Sequence, residues 1–217
     1  MAKKVRRSTS QAGKTTKKPA GASRKPTKSA VRRVVRTPPA PATGGRPAAR
    51  SPVPAKAAPS ADGWLAVGSL APDFTLPDHA GVSVSLAALR GKPVVIFFYP
   101  KDDTPGCTVE ACGFRDAAAR FGKRGAVVIG ISPDGPASHA RFRTKHKLPF
   151  TLLADEAHTV AERFGAWREK SLYGRKYMGI ARSTFVIDAK GRVARVFTTV
   201  KPAGHADEVL AALTDLG

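Results

Sequence analysis

The stretch Pro93-Val94-Val95-Ile96-Phe97-Phe98-Tyr99-Pro100-Lys101-Asp102-Asp103-Thr104-Pro105-Gly106-Cys107-Thr108-Val109-Glu110-Ala111-Cys112 decides the fold of this chain. Its first part is an unbroken apolar run rich in β-branched and aromatic residues, the pattern of a strand buried on both faces. The second part changes period. Thr104 stands where an N-cap belongs, Pro105 takes the favoured first helical position, and helical spacing continues from 105 to 124. A central strand thus gives way to a helix, and the only two cysteines, Cys107 and Cys112, stand just past that junction. A thiol at a helix start faces unpaired backbone N–H groups and the positive end of the helix dipole, which favours its thiolate. Cysteine redox chemistry is the first functional expectation.

Elements alternate outward from this point. Short strands are predicted over 71–76 and 82–86, a second buried strand over 126–131, a helix over 136–147 and a strand over 150–153. A helix follows over 157–164, then a hairpin of strands 183–187 and 193–198 joined by Asp188-Ala189-Lys190-Gly191, and a last helix over 203–216. This order predicts an α/β sandwich with a mixed sheet.

Charge divides the chain differently. Residues 1–60 hold 16 Lys and Arg and no Asp or Glu, so they carry most of the net +21 and leave +5 to the other 157 residues. Rich in Ala, Pro, Ser and Thr and free of aromatics, this segment cannot bury enough surface to offset its ordering entropy. The expected organisation is a disordered basic tail over 1–62 and one folded domain over 63–217. No run approaches the roughly 18 to 20 apolar residues that span a bilayer, and the N-terminus lacks a secretory core, so no membrane partner is expected. Two cysteines are too few for a disulfide scaffold and suit a reducing compartment, hence a cytoplasmic location.

The spacing PxxxTxxC of Pro100, Thr104 and Cys107 resembles the active-site signature of the peroxiredoxins, thiol peroxidases on a thioredoxin-like fold. The CxxxxC pair is similar to the bacterioferritin comigratory protein, or PrxQ, subfamily. So are Trp167-Arg168-Glu169-Lys170, Tyr173-Gly174, Tyr177-Met178-Gly179-Ile180 and Arg182-Ser183-Thr184-Phe185-Val186-Ile187-Asp188, in that order. The likeness runs from about Val67 to the C-terminus and does not touch the tail. It implies a thioredoxin-like three-layer sandwich with a central mixed β-sheet. It further implies that Arg182 comes beside Cys107 from the following strand, that Glu110 orients this Arg, and that thioredoxin is the reductant of a monomeric enzyme.

On that reading Cys107 is the nucleophile toward hydrogen peroxide and organic hydroperoxides. Lowering a thiol pKa from about 8.5 to about 6 raises the thiolate fraction at pH 7 only some thirtyfold. Fixed donors aimed at the peroxide oxygens matter more, since losing one such donor costs about 3 kcal/mol. The N–H groups around Gly106 and Cys107, the Thr104 hydroxyl and the Arg182 guanidinium are the candidates. Pro100 presents no N–H at the strand exit and shields the thiolate. Oxidised Cys107 is a sulfenic acid, and Cys112 is the thiol in the chain that can condense with it. Residues five apart on an intact helix are separated by about 7.5 Å along the axis and point about 140° apart, whereas a disulfide needs Cα atoms within about 7 Å, so local unwinding is expected.

Other classes stay open beside this one. A thioredoxin-like disulfide oxidoreductase would usually carry CxxC, which is absent here. No cofactor is expected, because no glycine-rich phosphate loop appears, and no metal, because the histidines at 79, 139, 146, 158 and 205 are scattered and read as solvated or capping residues. The tail fits three roles: a nonspecific nucleic-acid tether through residues 1–60, placing the enzyme at nucleoid or nucleus and in the extreme making the tail the main functional element; an organellar targeting segment; or a solvated extension.

Overall fold

The computed structural model describes residues 60–172 and 174–214. The predicted tail therefore lies outside the described residues except for Ser60, Ala61 and Asp62, as do Tyr173 and the last residues of the predicted final helix.

A hairpin of β1 (Thr75–Pro77) and β2 (Ser83–Ser85) leads through a single 3-10 turn into β3 (Val94–Phe98). There follow α1 (Pro105–Asp116), α2 (Ala118–Lys123), β4 (Val127–Ser132), α3 (Pro136–His146), β5 (Thr151–Ala154) and α4 (Thr159–Phe164). A second hairpin, β6 (Trp167–Leu172) with β7 (Arg175–Ile180), precedes β8 (Ser183–Ile187), β9 (Val193–Phe197) and α5 (His205–Thr214). The central sheet has the order β5-β4-β3-β8-β9, with β3, β4 and β5 parallel and β8 and β9 antiparallel to their neighbours. It is the mixed sheet of a thioredoxin-like α/β fold.

The apolar run of β3 explains the layering. Alternation sends Val94, Ile96 and Phe98 to one face, where they meet Phe74, Phe164 and Phe185. Val95, Phe97 and Tyr99 point to the other, under α1, α3 and α5. All five β3 residues are buried, and each such side chain contributes roughly 1.5 to 3 kcal/mol of transfer free energy. Gly130 of β4 has a local role: a Cβ there would come within 2.7 Å of the Phe97 ring. Its absence lets Phe97 lie flat against Phe114 of α1, ring centroids 4.7 Å apart, which fixes the height of the cysteine-bearing helix above the sheet.

Four sequence expectations are corrected. The helix expected over 105–124 breaks at Ala117, where burial of Ala117 and packing of Phe121 on Phe114 override the helical propensity of an alanine-rich stretch. The strand expected over 71–76 is confined to Thr75–Pro77, the length its partner β2 can pair. The β6–β7 hairpin was not expected as strands, because it carries Arg, Lys and Glu at successive positions and exposes most of β7. His139 and His205 are neither solvated nor capping residues: both are buried with both ring nitrogens paired. Among the described residues no helix is long and apolar enough to cross a membrane.

Candidate active site

The site forms where β3 ends and α1 begins. Pro105 at the first position and the extended backbone of Thr104 (φ −84°, ψ 153°) start the helix. Helix geometry leaves the N–H groups of Gly106 and Cys107 without intrahelical acceptors, whereas Thr108 N–H already bonds to Thr104 C=O at 2.9 Å. The expected side-chain cap by Thr104 is not made. Its Oγ1 donates to Lys101 C=O at 3.1 Å instead, closing the loop on itself.

Cys107, Glu110, Ala111 and Phe114 form the buried stripe of α1, at i, i+3, i+4 and i+7. The Cys107 thiol is therefore turned into the packed layer beside Tyr99 and Phe97, with 1% of the residue exposed. Arg182 arrives through strand register. Ser183 of β8 pairs with Phe98 of β3, so the preceding residue lies at the strand exit where α1 starts. It sits in the short link between β7 and β8, one position before the strand from which it was expected. Its Nη2 donates to Cys107 Sγ at 3.2 Å and its Nη1 to Glu110 Oε2, so one guanidinium spans thiol and carboxylate.

Burial pushes the Glu110 carboxyl up to about 7, with the Arg182 charge opposing that rise. Its other oxygen, Oε1, is buried and has no partner among the described residues. Burial works against the Arg182 cation, but Glu110 and Cys107 outweigh it and hold the guanidinium above its ordinary value. The site therefore supplies a permanent positive charge against the thiol, with a carboxyl behind it.

The structure thus brings Cys107, Glu110 and Arg182 together. It leaves Pro100 and Thr104 half-buried in the loop that precedes them, and Cys112 half-buried off the stripe of α1. Both cysteines are free thiols on an intact helix. Sequence reasoning missed Pro202, which packs beside Arg182 over Gly106: a Cβ on Gly106 would lie 3.3 Å from Arg182 Nη2 and 3.8 Å from Pro202 Cγ. It also missed His205, whose Nε2 lies 2.8 Å from Thr184 Oγ1 and whose Nδ1 lies 3.0 Å from Glu208 Oε2. Burial pushes His205 below the ordinary histidine value, with Glu208 opposing and the Arg182 charge adding to the shift. The spacing of His205 to Val209, i to i+4 on one helical face, was the available signal.

A buried thiol at a helix start, bridged by arginine to a carboxyl on a thioredoxin-like sandwich, is an arrangement suited to cysteine redox chemistry. The AhpC/TSA family model matches residues 67–196. The putative peroxiredoxin bcp of Coxiella burnetii is 50% identical over 149 residues, 69% of this chain and 99% of that protein. The peroxiredoxin Bcp of Bacillus subtilis is 47% identical over 152 residues, 70% and 97% of the two chains. Among solved structures, the bacterioferritin comigratory protein of Xanthomonas campestris, studied for alkyl peroxide reduction, superposes with a TM-score of 0.63 at 40% identity, covering 65% of this chain and 90% of its own. Peroxidoxin BcpB of Mycobacterium tuberculosis gives 0.63 at 40%, covering 70% and 97%. The chain belongs to the AhpC/TSA family, in its Bcp/PrxQ peroxiredoxin branch.

Proposed function

We propose that the chain is a thiol peroxidase in which Cys107 is the peroxidatic and Cys112 the resolving residue. The observation that carries this reading is the Arg182 guanidinium held between Glu110 and Cys107 Sγ. The Cys107 thiolate attacks one oxygen of a hydroperoxide; the S–O bond forms as the O–O bond breaks, and the departing oxygen takes a proton to leave as water or an alcohol. Arg182 and the N–H groups of Gly106 and Cys107 stabilise the charge that develops on the peroxide oxygens. Thr104 Oγ1, which donates to Lys101 C=O, keeps its lone pairs for a peroxide O–H.

Sulfur is now a sulfenic acid. Attack by the Cys112 thiolate forms the disulfide and releases water once a proton is supplied. That step needs α1 to open around Val109–Cys112, since on the intact helix the two thiols point about 140° apart. An external dithiol of the thioredoxin type then returns both cysteines to thiols with two electrons and two protons. Peroxide-dependent oxidation of thioredoxin, with hydrogen peroxide and an organic hydroperoxide compared, tests the reading. Thioredoxin turnover that does not require peroxide, as for a disulfide oxidoreductase, would contradict it.

For the tail, the 16 cations without a single acid in residues 1–60 favour a polyanion partner. A segment neutralising even six to ten phosphates gives salt-sensitive, sequence-independent binding, so the tail would hold the peroxidase on nucleic acid. The full chain should be retained on duplex DNA at low salt and released at moderate salt. Equal retention of a version lacking residues 1–60 would exclude the tether.

A further inference from the structure

The six residues Tyr99 to Thr104 join the strand exit to the helix that carries Cys107, and at Asp102 and Asp103 they are held from outside that helix. Asp102 is buried in the middle of this loop. Its Oδ1 accepts the Tyr99 hydroxyl at 2.7 Å, its Oδ2 lies 2.9 Å from His139 Nδ1 on α3, and its N–H donates to Asp134 Oδ2 at 2.7 Å. The His139 side chain is wholly buried, and its Nε2 faces Leu153 C=O of β5 at 3.2 Å.

Proton arithmetic fixes the pair. Leu153 C=O can only accept, so Nε2 carries hydrogen. Nδ1 and Asp102 Oδ2 stand 2.9 Å apart, so a hydrogen lies between them, since two bare acceptors would repel at that distance. Burial and then the Asp102 charge keep the Tyr99 phenol well above its ordinary value, so it stays a donor to Asp102. Asp103, the next residue, adopts φ +56°, the left-handed region that aspartate enters more readily than most side chains. Its carboxylate meets Lys145 at 2.5 Å and His146 at 2.9 Å, both at the far end of α3. Two consecutive aspartates therefore clip the loop to α3, one in the core and one at the surface.

We infer that His139, acting through Asp102, is a positioning residue for peroxide reduction: it holds the loop that presents Pro100 and Thr104 to Cys107. The inference rests on the thiol-peroxidase reading above. It also assigns a division of labour. The helix bearing both cysteines must open in each cycle, so an anchor made by that helix would be lost with it. An anchor on α3 and β5 survives the opening and restores the same loop geometry when α1 reforms.

The test separates the two nitrogens of His139 in the full chain. Asparagine places its amide nitrogen near the Nδ1 position and can still donate to Asp102, whereas glutamine places it near Nε2 and keeps only the Leu153 contact. Rapid-quench mass spectrometry reads the second-order rate of Cys107 oxidation by hydrogen peroxide and, separately, the rate of disulfide closure. His139→Gln should slow oxidation on the order of tenfold, as expected when a supporting contact is displaced. His139→Asn should stay within about threefold of the unsubstituted chain, and closure should change in neither. A general structural role would slow both variants alike. Oxidation at the unsubstituted rate in His139→Gln, or equal slowing in both variants, would overturn the inference. Absence of Cys107 oxidation in the unsubstituted chain would instead overturn the thiol-peroxidase reading.

Discussion

Cys107→Ser should abolish peroxide reduction, with kcat/KM falling on the order of 10⁴-fold or more, because a serine hydroxyl is not ionised near neutral pH and the group that faces it, Arg182, is a cation rather than a base. At about 1.4 kcal/mol per decade, this is a loss of roughly 5 to 6 kcal/mol of transition-state stabilisation. The substitution preserves shape and removes one buried sulfur from beneath Arg182, so folding should be little affected. Cys112→Ser behaves differently. Cys107 should still react with peroxide at close to the unsubstituted rate, but turnover should stop after a single stoichiometric round because no second thiol of the chain can close the disulfide. Pre-steady-state and steady-state rates measured on the same preparations distinguish the two cysteines. Unchanged turnover in Cys107→Ser would refute the assignment.

The second large effect belongs to the Arg182–Glu110 pair. Arg182→Met removes the donor to Cys107 Sγ and the charge facing the peroxide, and should cost 10²- to 10³-fold in kcat/KM, the range found when one transition-state donor is deleted. Arg182→Lys should recover only part of this. One guanidinium uses separate nitrogens for Cys107 and Glu110, and a single ammonium cannot reproduce that fork.

Glu110 adds a pH signature with a definite sign. Its carboxyl titrates at about 7 in the folded chain against 4.5 for an ordinary glutamate, chiefly through burial. The folded state therefore binds that proton more tightly than the unfolded state. The contribution is fully present below pH 4.5 and is lost as pH rises through 7, amounting to about 3 kcal/mol. Glu110→Gln should remove this dependence, so its melting temperature relative to the unsubstituted chain should rise between pH 5 and pH 8. Activity of the variant should fall above pH 7, where Glu110 is ionised and its loss leaves Arg182 without an ionic partner. Parallel melting profiles across that range would show that Glu110 does not titrate near 7.

Much of this site could be read from the sequence for a specific reason. The apolar run 94–99, the Thr-Pro-Gly-Cys start of α1 and the strand at 183–187 are local signals, each complete within a dozen residues. What remained hidden depends on long-range partners. Nothing near His139 announces that it meets Asp102, 37 residues earlier, and nothing near His205 announces Thr184, 21 residues earlier. Arg182 was placed beside Cys107 by resemblance alone, and the structure supplies the cause in the pairing of Phe98 with Ser183. The break at Ala117 has no glycine or proline to mark it, and the β6–β7 hairpin has no alternating apolar face. Both are set by packing rather than by local preference.

The most direct test of the central claim is site-resolved mass spectrometry after a single equivalent of hydrogen peroxide, with a sulfenic-acid trap present. The unsubstituted chain should yield an intramolecular Cys107–Cys112 disulfide, and Cys112→Ser should carry the trapped sulfenic acid on Cys107. Trapped sulfenic acid on Cys112 with Cys107 still a free thiol would contradict the account.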